Sequence, residues 1–462
     1  MKTKYYFTLI ALLIIQSAIY SQTHTWTGNG GDNNWFNTDN WDVGSVPSSE
    51  SEILIPTGFV VEIITEAAAA NSITINGIST INLENNLNFL GQLSIPEGGN
   101  INWLSGIING GGTIENNGLI QLEAFEDKKL INTTINNNGA IYITNSNQIK
   151  LSGACVINNN ETGIIEILSN GGFLQEEPGN TCNNMGSIKK MPNGSGSLGS
   201  FYMLFDMNNY GTIEIDENQQ LLFLGSDITL NNTESGILKG FGAFDITSNF
   251  NNAGTLAPGS EGTPGTLTVL NYLSLSSASI LEFDITGKVA GEFDVIDVAG
   301  FPDLTGNIIV TLSFEPDLGD EFPIITANNI QSCDFPQSIS AQYLGYDYTF
   351  EISCNNTSLV LKVVDIVLGV DEMNSESITF YVQPNPVKSF ANIVFNTSNE
   401  ITIPNNKLTL HVYTSLGLEV MVINNFTQTN YQFKKGNLSA GLFILQIKSG
   451  NSLIASTKMV IE

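Results

Sequence analysis

A chain of 462 residues has room for several domains, and this one carries 16 basic residues, all of them lysine, against 45 acids, for a net charge of −29. That balance excludes nucleic acid and anionic membrane surfaces as partners, because neutralising phosphates takes basic stripes that the chain does not have. A slightly positive mean hydropathy beside only 13% charged residues argues against disorder, and four cysteines, an even number, suit an oxidising compartment.

Lys2 and Lys4 precede an apolar run reaching Ile15, and a more polar stretch follows to Ser21. This is the pattern of a signal peptide over 1–21, cleaved after Ser21, and the run is shorter than the ~20 residues of a membrane span. No cysteine follows the site, so lipid anchoring is not expected, and the mature chain contains no other membrane-spanning candidate. Over 22–70 three of the four tryptophans crowd together as Trp26-Thr-Gly28, Trp35 and Asn40-Trp41. The first turn of a stacked fold has an open apolar end that such rings can cover; the alternative is a platform on which sugars stack. The stretch loosely resembles the W-x-G…W…NW openings of secreted β-rich surface proteins.

From Asn71 short β-prone runs alternate with Asn/Gly turns, and one phrase then returns seven times: apolar–Asn–Asn–spacer–Gly–x–Ile/Leu, the first copy with Glu115 in place of the leading Asn. Its glycines are Gly118, Gly139, Gly163, Gly186, Gly211, Gly236 and Gly254, with periods of 21, 24, 23, 25, 25 and 18 residues. A near-constant period in this range marks a stacked repeat. The strands after the glycines alternate with period two. Their inward column reads Ile120, Ile141, Ile165, Ile188, Ile213, Leu238 and Leu256, all aliphatic. The column beside it reads Gln121, Tyr142, Glu166, Lys189, Glu214 and Lys239, whose last four alternate in sign as a register device requires.

The second asparagines of the phrase, Asn116, Asn137, Asn159, Asn184, Asn209, Asn232 and Asn252, form a candidate ladder. Asparagine tolerates left-handed turns and its amides can hydrogen-bond from coil to coil. The same oxygens could hold calcium, the one cofactor considered, although the glycine-rich nonapeptide calcium repeat is missing. The glycines are expected to supply positive φ. Cys155 and Cys182 lie in consecutive copies on one side, so a disulfide between adjacent coils is plausible if a bulge absorbs their two-residue offset.

From Gly254 the pattern changes to Gly-Thr-Leu-Ala-Pro258-Gly, then Gly265-Thr-Leu-Thr-Val269, Leu281-Glu-Phe-Asp-Ile285, Asp294-Val-Ile-Asp-Val298 and Ile308-Ile-Val-Thr-Leu312. This order resembles the final segment of autotransporter-like β-helical passengers over residues 251–365. The resemblance implies a β-rich continuation that closes the open end. Cys333 and Cys354 fall in its last part and are the favoured disulfide.

Residues 366–377 read as a linker. Beyond it come Tyr381-Val-Gln-Pro384-Asn385-Pro386, Val412-Tyr413-Thr-Ser-Leu416-Gly417, Leu438-Ser-Ala-Gly441-Leu-Phe443 and Lys458-Met-Val-Ile461. The set resembles the type A sorting domain of the type IX secretion system, departing from it by the inserted Val-Gln and by Phe443 where Tyr is common. The resemblance implies passage across an outer membrane and recognition by the translocon. It marks Pro384, Asn385, Pro386, Gly417, Gly441 and Lys458 as the sorting motif. Short strands with turns at Pro386, Gly417, Gly436 and Gly441 independently read as a small antiparallel sandwich.

The expected architecture is all-β: a right-handed parallel β-helix or solenoid over 71–262, a β-rich end segment over 263–365, and a C-terminal Ig-like β-sandwich over 378–462. The expected function is a secreted or surface-displayed non-catalytic scaffold, adhesin-like or in contact with glycan, host or matrix. With histidine only at His24 and His411 and no arginine, a His-based triad or metal site in the solenoid is excluded, as is an Arg base. The alternative is a polysaccharide-active β-helix enzyme using a carboxylate pair, with Glu176/Glu177, Asp245 or Asp294/Asp297 as candidates.

Overall fold

The computed structural model describes residues 22–145, 148–192, 194, 198–368, 378–397, 408–415, 417–426, 431–449 and 452–462. The expected signal peptide, residues 369–377 of the expected linker, and Leu416 lie outside the described residues. The chain divides into two units, Met1–Leu368 and Gly369–Glu462.

In the first unit short strands follow one another around three faces. One turn shows the rule: Thr134–Asn137 on a first face, Ala140–Ile143 on a second, Gln148–Ser152 on a third. Alternation turns two side chains of each strand inward, here Ile135 and Asn137, Ile141 and Ile143, Ile149 and Leu151, all buried. So thin a slab of core is stable only when stacked on its neighbours. Equivalent strands of successive turns pair in parallel, with Thr134–Asn137 held between Thr113–Asn116 and Val156–Asn159. The result is a parallel β-solenoid whose faces are sheets of 11, 12 and 15 strands. The inward column from Ile120 to Leu256 is in register throughout and buried.

The coils extend beyond the asparagine row in both directions. Glu52–Ile55, Val60–Ile63 and Ala68–Ala70 already make a full turn inside the stretch read as cap, and Thr23–Thr25 opens the first face by pairing in parallel with Glu52–Leu54. Above that end Trp26, Trp35 and Trp41 pack edge to face, with centroids 5.0 and 4.9 Å apart, in the same apolar core as the first coils. Their burial makes them an end cover and leaves no ring face free as a sugar platform.

At the other end parallel pairing continues to Asn307–Leu312 and Glu321–Ala327. Ser358–Leu368 then pairs antiparallel with Glu321–Ala327, followed by Tyr346–Cys354 and Ser338–Tyr343. An antiparallel hairpin starts no new coil, so the stack stops there. Ile366–Leu368 belong to this hairpin rather than to a linker, being paired with Tyr348–Tyr346. The Cys333–Cys354 disulfide forms as expected and ties the hairpin to the strand Ser332–Asp334.

The second unit has seven strands among its described residues. Ile378–Gln383, Phe390–Thr397 and Tyr431–Lys434 form one antiparallel sheet; Glu419–Phe426, Leu408–Thr414, Gly441–Ser449 and Ser452–Ile461 form the other. Ile393, Phe395, Val412 and Leu445 fill the core, and Phe443 is buried there too, where a tyrosine hydroxyl would need a partner.

Candidate functional site

The corner between the first and second faces is built from amides. Each of the seven second asparagines closes a first-face strand with its side chain inside, 0–4% exposed. One amide hydrogen passes up the stack: Asn116 Nδ2 donates to Asn137 Oδ1 at 2.6 Å, Asn137 to Asn159 and Asn159 to Asn184 at 2.7 Å, and so on to Asn252. The other reaches a main-chain carbonyl of the next turn, as from Asn159 to Ser187 O at 3.1 Å. Asn252 ends the row on Ser279 Oγ at 3.1 Å. The first asparagines of the phrase make a second row on the outside, and its hydrogen bonds run the opposite way. Asn158 donates to Asn136 at 2.8 Å, Asn183 to Asn158 at 2.9 Å, and Asn208 to Asn183 at 3.0 Å. The oxygens considered for calcium are therefore acceptors within these rows. Among the described residues no cluster of three or more His, Cys, Asp or Glu is placed to hold a metal.

Three expectations about this corner are corrected. The paired asparagines lie in strands, and among the described residues the non-glycine positions with positive φ are Ala124, Asn132, Asn218, Asn271 and Leu344. None of the seven repeat glycines has positive φ either. What they need is room: a Cβ on Gly139, Gly186 or Gly211 would lie 2.2 Å from the carbonyl oxygen of the repeat glycine one coil below. That oxygen accepts a hydrogen bond from the next residue up, as Gly118 O does from Ala140 N at 2.8 Å, so it cannot move aside. Finally, Cys155 and Cys182 are free thiols. Both are buried on one side as expected, but the register sets Cys182 against Ile157. Cys155 is thus a diagonal neighbour, with Cα atoms roughly 7–8 Å apart, beyond the ~7 Å a disulfide spans. Cys155 Sγ instead donates to Leu130 O and Ser152 O at 3.3 Å, and burial pushes the Cys182 thiol up to about 12.

The charged column on the second face is in register. Glu214 pairs with Lys189 at 2.8 Å and Lys239 at 3.6 Å, while Lys189 also reaches Asp216 at 3.1 Å. Burial works against both charges, yet the partners outweigh it, holding Lys189 above its ordinary range and Glu214 below. Lys189 turns to Asp216 rather than to Glu166, so the alternation is a ladder only above Lys189.

Most carboxylates named for catalysis are spread apart. Glu176 pairs with Lys129 at 2.6 Å, Asp245 accepts from Asn271, and Asp297 accepts from Thr326 Oγ1. Asp294 is different: it lies at the back of a groove of about 530 Å³ near the end of the stack, with Glu261, Glu282 and Asp284 also in the lining. It is 2% exposed, and burial pushes its carboxyl up to about 7 against the pull of two backbone N–H groups. Those donors are Gly265 N on Oδ1 and Asp284 N on Oδ2, both at 2.7 Å, and Asp284 Oδ2 in turn accepts from Gly262 N at 2.7 Å. These two carboxylates join three successive segments of backbone.

The sequence reading missed two buried lysines at the corner between the second and third faces. Lys190 occupies an inward slot between Ile167 and Ile215, and its Nζ donates to Met191 O at 3.0 Å and Gln219 Oε1 at 2.8 Å. Lys128 Nζ donates to Ala124 O and Glu126 O at 3.1 Å. Desolvation lowers both to about 8. The signal was present, since the strand alternation of Ile188–Lys190 puts the second lysine inside.

In the C-terminal unit the sorting motif residues converge in part. Asn385, between Pro384 and Pro386, donates from Nδ2 to Lys458 O at 3.0 Å and accepts from Val460 N at 2.8 Å. Val387 continues the clamp, donating to Val460 O at 2.7 Å and accepting from Glu462 N at 3.0 Å. Pro-Asn-Pro is thus fastened along the last strand, and the Lys458 side chain is left exposed. Gly417 is not part of this clamp: it turns the hairpin after Thr414, with φ +80°. Gly441 starts the strand that pairs with the last one, opposite Ile461.

Residues 381–462 match the secretion system C-terminal sorting domain. The chain carries a C-terminal sorting domain. The match spans the clamp, both sheets and the last strand, and it implies recognition by the type IX system and export to the surface or the medium. No curated protein matches the chain. Among solved structures, the "Crystal structure of TibC-catalyzed hyper-glycosylated TibA55-350 fragment" is similar at 13% identity over 56% of this chain and 92% of that one. Its TM-score of 0.21 is too low to bear on fold or function. Among the described residues no helix is long and apolar enough to cross a membrane.

Proposed function

We propose that this exported solenoid is a non-catalytic scaffold that contacts glycans or a matrix at the cell surface or after release. The observation that supports it most is the employment of the solenoid's carboxylates. Of the pair best placed in a groove, Asp294 spends both oxygens on the backbone N–H groups of Gly265 and Asp284, and Asp284 spends Oδ2 on Gly262 N. A general acid must present its proton to the substrate and a base or nucleophile its lone pair. Acceptors already tied to the fold do neither.

A second reading has one observation in its favour. Asp294, held near 7 by burial, lines the same groove as Glu282 and Asp284, and a buried carboxyl raised in this way beside other carboxyls is how glycosidases supply a general acid. The two readings part on one experiment: the whole chain is offered an array of neutral and acidic glycans, with binding and reducing-sugar release read on the same samples. Binding without release is the expected result. Release abolished by Glu282→Gln or Asp294→Asn, with folding intact, overturns the proposal.

A further inference from the structure

We infer that the amide corner carries a binding groove for a neutral polysaccharide, lined by Tyr210 and the spacer Thr233-Glu234-Ser235; this rests on the proposed glycan-contacting role and gives it a location. The spacer in the repeated phrase is one residue in most coils but three in two of them, Asn160-Glu161-Thr162 and Thr233-Glu234-Ser235. Those two corners stand out as ridges. Both are pinned: Gly163 N donates to Asn160 O and Gly236 N to Thr233 O at 2.8 Å, Thr162 Oγ1 donates to Asn138 O at 2.8 Å, and Ser235 Oγ donates to Tyr210 O at 2.9 Å. Between the ridges lie two coils whose corner residues are Met185 and Tyr210, 40% and 46% exposed. At one sheet spacing per coil the ridges are roughly 14 Å apart.

Against the second ridge lies a groove of about 660 Å³, lined by Tyr210, Thr233, Glu234 and Ser235 on one side and Asn208, Asn231 and Asn251 of the outer row on the other. The outer row is not used up by its own hydrogen bonds. Asn231 Nδ2 donates to Asn208 Oδ1 at 2.8 Å, and Asn231 Oδ1 accepts from Asn251 at 2.7 Å. An amide has two hydrogens and two lone pairs, so each of these keeps one donor and one acceptor for solvent. The inner row differs, with its second hydrogen on a carbonyl, as Asn209 Nδ2 is on Ile237 O at 3.3 Å.

The groove thus offers amide donors and acceptors repeated from coil to coil, with one half-exposed tyrosine, Tyr210, in the same lining. Sugar hydroxyls are each donor and acceptor, and the C–H face of a pyranose is the apolar surface a tyrosine ring can cover. The occupant must also be uncharged: Glu234 is in the lining, and the whole chain is at −29, so uronates and sialosides are repelled.

The test uses the whole chain against immobilised neutral hexaoses of glucose, mannose and galactose, with hexagalacturonate and a sialylated hexaose beside them. Titration calorimetry follows on the best neutral binder, for the wild type and for Tyr210→Ala, Tyr210→Phe and the groove-filling Ser235→Trp. A neutral hexaose should bind, Tyr210→Ala should weaken it roughly tenfold or more, Tyr210→Phe should retain it, and Ser235→Trp should block it. Each variant should keep the wild-type urea midpoint. Glycan binding unaffected by Tyr210→Ala and Ser235→Trp, or preference for the acidic hexaoses, overturns the groove while leaving the glycan-contacting role in place. Binding to no glycan of any class overturns both.

Discussion

Two corners of the same coils are built in opposite ways. Where the first face meets the second, every coil of the row sets an asparagine, a glycine and an aliphatic residue against the same three below. Where the second face meets the third, the buried polar side chains differ from coil to coil. Lys128 caps carbonyls in one, Lys190 pairs with Gln219 in another, and Asp294 gathers backbone N–H groups in a third. The first corner is a chain of mutual dependence, in which each amide is both donor and acceptor to its neighbours. At the second corner each polar group is satisfied within its own neighbourhood, so loop length and residue type are free to vary. A change at the first corner should therefore strain two interfaces, and a change at the second only one.

The largest effect should come from closing the space at the first corner. Gly186→Val places side-chain atoms against Gly163 O, and the solenoid should lose roughly 3 kcal/mol or more, read as a fall in urea midpoint or as insoluble protein. At the second corner Asp294→Asn sets an NH₂ against one of two backbone donors and should cost about 1–3 kcal/mol. Its pH dependence has a definite sign. The folded carboxyl is held up near 7 against an ordinary 3.8, so the fold binds its proton more tightly than the unfolded chain. That contribution is present below about 4 and lost as pH rises through 7, so the gap between wild type and variant should narrow over that range.

Much of the first corner was legible in the sequence, for a physical reason. A position that must contact its own equivalent in the next coil admits one residue type, so the inward column from Ile120 to Leu256 and the seven asparagines stood out. Their roles were less legible. Spacing marks a glycine without saying whether it supplies a φ or a gap, and here the gap was the need. The third face was missed as a repeat because its strands follow loops of unequal length. Lys190 sits in a core column between Ile167 and Ile215; alternation alone pointed it inward, against the habit of a charged side chain to face water. The groove beside Tyr210 was hidden for the opposite reason: it lies against one longer spacer, Thr233-Glu234-Ser235, which in alignment looks only like noise.

Lys190 provides a smaller effect of opposite sign in pH. Its folded value, lowered to about 8 from 10.5, means the unfolded chain holds the proton more tightly. Wild-type stability relative to Lys190→Met should rise between about pH 8 and pH 10.5 and stay level below 8, as followed by thermal unfolding of both proteins. The smallest effect belongs to the charged column. Glu214→Gln breaks its contacts with Lys189 and Lys239 at the surface and should cost about 0.2–1 kcal/mol. That difference should fade in 1 M salt, where screening reaches within ~3 Å.

The dependence of each coil on the next is tested most directly by two adjacent residues of one coil, Asn158 in the outer row and Asn159 in the inner. Urea midpoints of Asn158→Leu and Asn159→Leu are compared in the whole chain. Asn159→Leu leaves the amide of Asn137, the oxygen of Asn184 and the carbonyl of Ser187 without their partner. It should cost roughly 2–5 kcal/mol, whereas Asn158→Leu, whose neighbours can turn to water, should stay within about 1 kcal/mol of wild type. Equal losses for the two, or a neutral Asn159→Leu, would contradict the account of the inner row as the spine of the solenoid.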